Sequence, residues 1–181
     1  MSFVYFFLFV IAQRLLELGV AKRNEKRMKH KGALEFGQSH YKYIVLLHIG
    51  FLVATAAEVI LFQRQASPFW PGLLLLFGMT QGLRIWAMVS LGEFWNTKIL
   101  VLPNASIISK GPYKYIRHPN YAVVVLEIIL IPLLFQAYIT AILFTILNAF
   151  VLTIRIRQEE RALIEMTDYA EHFKNISQFP S

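Results

Sequence analysis

Residues 111–165 read GPYKYIRHPNYAVVVLEIILIPLLFQAYITAILFTILNAFVLTIRIRQEERALIE. Two apolar runs, 120–134 and 137–156, flank a short uncharged piece, and the unit is polar at both ends. A bilayer core of about 30 Å is covered by about 20 helical residues, so runs of this kind read as helices in lipid. The tight connection makes them an antiparallel hairpin. Its polar ends, GPYKYIRHPNY (111–121) and RQEERALIE (157–165), are therefore expected to be neighbours at one membrane face.

Working outward, the runs 2–21, 43–62 and 69–91 give three more spans. The expectation is an all-α integral membrane protein of about five transmembrane helices, with residues 1–181 forming one domain. A composition 56% hydrophobic and 16% charged agrees with that class. The segment Ser2 to Ala12 has no basic leader and runs into Arg14 and Glu17, so it reads as a helix of the mature protein. Lys and Arg number seven in residues 22–42, one in 63–68, four in 92–120 and four in 155–181. All but Arg64 of these fall on one side, which the positive-inside rule makes cytoplasmic, with the N-terminus outside and the C-terminus inside, as in a bacterial cell membrane. The net charge of +7 thus reads as topology and not as nucleic-acid binding. Residues 22–42 are expected to rest on anionic headgroups. With no Cys, and five His without ligand spacing, no metal is expected.

Ionisable residues inside spans are expected to face protein. Arg14 and Glu17, three apart, are placed to pair on one helix face. Glu58, near the outer end of its span, is expected to reach water, and His48 to donate a hydrogen bond between helices. Arg84 and Glu127 lie deep and are candidates either for structure or for contact with a substrate. The pairs Gly50/Ala54 and Gly78/Gly82 are expected to allow close helix packing.

Chemistry concentrates at the two polar ends of the hairpin. Pro119 suits the first turn of a helix, which puts His118 at a helix N-terminus among free N–H groups, a place that suits an anionic group. On the other arm Arg155 is spaced to pair with Glu159, and Arg157 with Glu160. Adjacent carboxylates point about 100° apart on a helix, so one can pair with Arg while the other faces a bound group. Two readings stand on the residues alone: a site for an anionic group, an adenine and ribose hydroxyls, or a capped interfacial helix with an aromatic belt. Residues 92–120 add an extended IleLeuValLeu stretch between turn signals.

These motifs, GPYKYIRHPNY with EERAL (159–163) downstream, resemble the isoprenylcysteine carboxyl methyltransferase family over roughly residues 90–165. The whole chain looks most like the bacterial branch, found with type III polyketide synthases, whose members O-methylate long-chain alkylpyrones. The resemblance implies an S-adenosylmethionine-dependent O-methyltransferase, with a cytosolic cofactor region at about 92–181 and a lipophilic acceptor entering from the bilayer. It implies Tyr113, Arg117, His118, Pro119, Tyr121 and Glu159 at the cofactor, Glu159 or Glu160 at the reaction, and Arg155 steadying an anionic acceptor oxygen. No glycine-rich strand-to-helix turn is present, which disfavours a Rossmann-type methyltransferase. Phospholipid N-methylation, an NADPH-dependent sterol-reductase-like activity and a non-catalytic membrane anchor are the competing classes for this topology.

Overall fold

The computed structural model describes residues 2–169. Its order is α1 (Phe3–His30), β1 (Leu34–Phe36), α2 (Gln38–Leu61), α3 (Trp70–Leu91), β2 (Ile99–Val101), α4 (Pro119–Leu133) and α5 (Tyr138–Met166), with 3-10 turns at Gly92–Phe94 and Gly111–Lys114. α1, α2, α3 and α5 are long and apolar enough to cross a membrane. Large apolar side chains such as Leu16, Leu46, Val53, Val89 and Phe150 are exposed on their flanks, a surface that lipid covers and water would not.

α4 differs from the expected fourth span. Its 15 residues extend about 22 Å, short of the hydrocarbon core. It is instead wedged among its neighbours: Val123, Ile128, Ile131 and Pro132 are all buried. The α4–α5 hairpin nevertheless forms as expected, with Gln136 at positive φ closing the turn. That turn meets the α2–α3 connection, where Ser67 N–H donates to Leu134 O at 2.9 Å. Both turns therefore lie at one end of the bundle, opposite the end that carries nearly all the basic residues.

At this far end sits an apolar core: Phe6 and Val10 of α1, Phe51 of α2, Phe77 of α3 and Phe135 of the turn. Glu58 does not reach water there. It is buried and accepts bonds from the N–H groups of Ile139 (3.2 Å) and Thr140 (2.7 Å) and from the Thr140 hydroxyl (2.7 Å), with Arg64 at 3.6 Å. The cause is the start of α5, whose first N–H groups have no partner within the helix and present a partial positive charge. Of the small-residue pairs, Gly50 packs against Phe144, whereas Gly78 and Gly82 face open space.

At the basic end α1 runs nine residues past its expected end, because its Lys, Arg and Glu residues leave the bilayer yet favour helix. This extension supports the connections. Asn24 Nδ2 donates to Gly92 O and Trp95 O (3.1 and 2.8 Å), and Asn96 Nδ2 to Ala21 O (3.1 Å). The extended IleLeuVal stretch is β2, paired antiparallel with β1 in the register Leu34↔Val101, Glu35↔Leu100, Phe36↔Ile99, a small ribbon added to the helical bundle. Lys29 and Lys98 each bridge Glu25 and Glu35 and so fasten the ribbon to α1. Partial burial works against ionisation of both carboxylates, but hydrogen bonds from Lys29 and Lys98 outweigh it and hold their pKa values below the usual range.

Inside the bundle Arg14, Glu17, Arg84 and Glu127 form a closed quartet. Arg14 donates to Glu17 (2.6 Å) and Glu127, and Arg84 to Glu17 (2.6 Å) and Glu127. Gln13 and Gln81 add bonds to Glu17 and Glu127 at 2.9 and 2.8 Å. Two cations face two anions, so α1, α3 and α4 are joined without net charge, which is how ionised groups persist at this depth.

Candidate functional site

The hairpin brings GPYKYIRHPNY and RQEERALIE together, as their places in the sequence predict. His118 precedes α4, Pro119 opens it, and Pro119 is fully buried, so it shapes the turn and does not line a cavity. Gly111 adopts φ +61° and lies so close to α3 that a Cβ would fall 2.0 Å from Ser90 Oγ. Only glycine satisfies both conditions, and it seats the 111–114 turn against α3.

The intrahelical ion pairs expected on α5 do not form; Arg155, Glu159 and Glu160 meet partners on α4 and on the residues just before it. His118 Nε2 donates to Glu160 Oε1 at 3.1 Å, and Arg117 Nη1 lies 3.8 Å from the same oxygen. Tyr121 OH donates to Glu159 Oε2. Arg155 is buried, donates from Nε to Tyr121 OH (2.8 Å) and from Nη2 to Thr97 O (2.5 Å), and lies over the Tyr121 ring. The rings of His118 and Tyr121 stack at 5.3 Å. Tyr169 OH also donates to Glu160 Oε1, at 3.3 Å. Burial, reinforced by the Glu159 charge, pushes the Tyr113 hydroxyl well above its ordinary pKa, so it stays protonated.

These groups surround a polar cleft of about 100 Å³ lined by Tyr113, Arg117, His118, Tyr121, Glu159 and the β2 strand, among others. Glu160 sits beside it through His118. Of the expected cofactor region, residues beyond Tyr169 lie outside the described residues. Below the cleft is a second, mostly apolar cavity of about 450 Å³ between α1, α2, α4 and α5. Asn96, Asn120, Tyr121 and Arg155 line both. Arg84 and Glu127, the deep candidates, belong to the quartet and also line the larger cavity.

Several residues of this arrangement are passed over by sequence reasoning. Asn120 bridges Trp95 Nε1 (3.2 Å) and Tyr113 OH (3.0 Å), and its place inside the motif was the available signal. Thr97, in the 92–120 connection, meets Arg155 through its backbone carbonyl and carries no such mark. Asn148, a lone amide in an apolar run, is buried at the larger cavity. His48 lines that cavity too, and its Nδ1 bonds to Ile44 O of its own helix at 2.8 Å, not to another helix.

Helices of crossing length, a lipid-facing apolar surface and a polar cleft above an apolar chamber define an integral membrane protein with a two-compartment interior. The sequence profile of the isoprenylcysteine carboxyl methyltransferase (ICMT) family matches residues 73–165. The chain is 53% identical over 156 residues to YpbQ of Bacillus subtilis, covering 86% of this chain and 93% of that one. It is 31% identical over 160 residues to a Haemophilus influenzae protein, covering 85% and 90%. The chain belongs to the isoprenylcysteine carboxyl methyltransferase family. Membership points to a membrane methyltransferase.

Proposed function

We propose that this protein is an S-adenosylmethionine-dependent methyltransferase that O-methylates a lipophilic acceptor dissolved in the membrane. One observation carries the reading: the polar cleft and the apolar chamber share Asn96, Asn120, Tyr121 and Arg155, so a soluble methyl donor and a lipid acceptor can meet there without either leaving its own phase. The donor set of the cleft suits that cofactor. Arg117 and His118 match a carboxylate, Glu159 and Glu160 match an ammonium or ribose hydroxyls, and Leu100, Val101 and Leu163 offer apolar surface to an adenine.

The cleft encloses about 100 Å³, less than the roughly 300 Å³ at which small-molecule sites begin. Binding therefore goes with an exchange of partners, in which the contacts of Glu159 with Tyr121 and of Glu160 with His118 give way to contacts with the ligand. S-adenosylmethionine, when bound, supplies a methyl group activated on a sulfonium. Arg155, the cation at the junction, holds the negative charge of the acceptor oxygen in place. Alignment of the two reactants can then supply much of the acceleration. An acceptor that arrives ionised needs no general base, which favours an alkylpyrone-like enol or a prenylcysteine-like carboxylate.

The basic end faces the cytoplasm of a bacterial cell in this reading, with the N-terminus outside. Within residues 22–42, Lys29 and Lys31 are engaged by glutamates, while Lys22, Arg23, Lys26, Arg27 and Lys42 are exposed and available to anionic headgroups.

Calorimetry on the detergent-purified protein with S-adenosylhomocysteine and NADPH tests the cofactor; binding of the first and not the second is expected. Labelled S-adenosylmethionine then tests the acceptor. Transfer to phosphatidylethanolamine, with none to long-chain enols or carboxylates, would sink O-methylation.

A further inference from the structure

The large chamber has polar groups at two depths. One level is the junction with the cleft, at Asn120, Tyr121 and Arg155. The other lies six residues along α4 from Tyr121, at Glu127, and seven along α5 from Arg155, at Asn148, which is about 10 Å deeper in each case. Asn148 is 3% exposed, lines the chamber and has no hydrogen-bond partner among the described residues. Facing the chamber from α2 is His48. Its Nδ1–H is given to Ile44 O, which leaves Nε2 as an acceptor without a partner among the described residues. Gly50 abuts Phe144 and the two helices run antiparallel, so His48 and Asn148 lie within about one turn of each other in depth.

An unpartnered amide in an apolar cavity is a cost that Leu at the same place would avoid. The charge at this depth is already balanced, since Arg14, Glu17, Arg84 and Glu127 neutralise one another. What is left open is uncharged: an amide that both donates and accepts, and an imidazole nitrogen that accepts.

Building on the methyltransferase reading, we propose that Asn148 and His48 recognise a second, uncharged polar group of the acceptor. That group is a hydroxyl or a secondary amide, held about 10 Å from the atom that is methylated. The acceptor is thus a lipid with two polar points and not a head on a plain hydrocarbon tail. Asn148 and His48 act as specificity residues. They are too deep to touch the methyl donor.

The probe is a total lipid extract of Bacillus subtilis incubated with labelled S-adenosylmethionine and the full-length protein in nanodiscs. The methylated product is isolated and silylated. The methylated oxygen no longer reacts, so uptake of a silyl group reports a second hydroxyl or N–H, and its position follows from fragmentation. Uptake at the stated separation is expected; a product that takes up none overturns the proposal. In parallel, Asn148→Leu and His48→Phe should each raise the extract concentration giving half-maximal rate about tenfold. S-adenosylhomocysteine affinity should stay within twofold of the parent, and His48→Gln, which keeps an acceptor, should restore most of the loss. Unchanged half-maximal concentrations in both variants overturn the proposal while leaving methyl transfer intact. Failure of the parent protein to bind S-adenosylhomocysteine or label any lipid overturns the methyltransferase reading and this one with it. Should a variant lose thermal stability, silylation of the parent's product decides alone.

Discussion

Two clusters of ionisable groups lie about two helical turns apart in this bundle and are built differently. The deep quartet pairs guanidinium with carboxylate on every side, closed and electrically balanced. The cluster at the basic end pairs its carboxylates with a histidine and tyrosines at hydrogen-bond distance, with the Arg117 guanidinium farther off at 3.8 Å from Glu160, and the side chains of Glu159 and Glu160 remain roughly a third exposed. Strong acid–base pairs in a low-dielectric setting are costly to separate, whereas phenols and imidazoles are exchanged for a ligand at little loss. One cluster holds helices together; the other is free to change partners.

The largest expected effect tests the closed cluster. Arg84→Met leaves Glu17 and Glu127 short of a partner and should cost about 3–5 kcal/mol. It should be read as a fall in folded yield and in thermal midpoint, and adding Glu127→Gln should return part of the loss. If Arg84→Met is as stable as the parent, the quartet is not what joins α1, α3 and α4. Next is Glu160→Gln. It should lower methyl transfer on the order of 100-fold, about 2.7 kcal/mol of barrier, with the midpoint hardly moved, because a single pair whose carboxylate stays in contact with water adds little stability. A large loss of stability there would erase the contrast between the clusters.

Glu58→Leu strips the start of α5 of its acceptor at the far end and should destabilise by about 1–3 kcal/mol without altering S-adenosylhomocysteine affinity. Smallest is the pH response of the ribbon. Glu25 and Glu35 have folded pKa values below the unfolded ones, so their contribution is full above the ordinary carboxylate range and is lost as pH falls through the folded values. Lys29 and Lys98 are shifted upward, the hydrogen bond with Glu25 first, so their share persists through neutral pH and is lost only on strong alkalinisation. Hydrogen-exchange protection at residues 34–36 and 99–101, taken relative to the intrinsic rate at each pH, should therefore fall in acid while α2 stays protected.

Hydrophobic run length and basic-residue placement made the bundle readable from the chain, and the meeting of His118 with Glu160 follows from a four-residue turn between two apolar runs. What was not readable depends on contacts remote in sequence. Arg155 and Glu159 have the spacing of a helical pair, yet Tyr121 stands between them and takes both. Glu58 looked bound for water because nothing in its own span reveals that the start of α5 needs an acceptor. β1 is three residues long, too short for any periodicity, and becomes a strand because Ile99–Val101 lies beside it. The short reach of α4 is visible in its count of residues, but that it is wedged inside the bundle depends on the helices around it.

α1 continues unbroken from Phe3 to His30, about 42 Å of rigid rod through a hydrocarbon layer of about 30 Å. At one height it carries Arg14 and Glu17 of the quartet, and at another Asn24 and Glu25, on which the 92–98 connection rests. A helix longer than the surrounding hydrocarbon layer answers thinner lipid by tilting. A tilt of α1 would therefore be carried by its bonded basic-end arm into the 92–98 connection that borders the cleft, which ties the site to the thickness of the host bilayer.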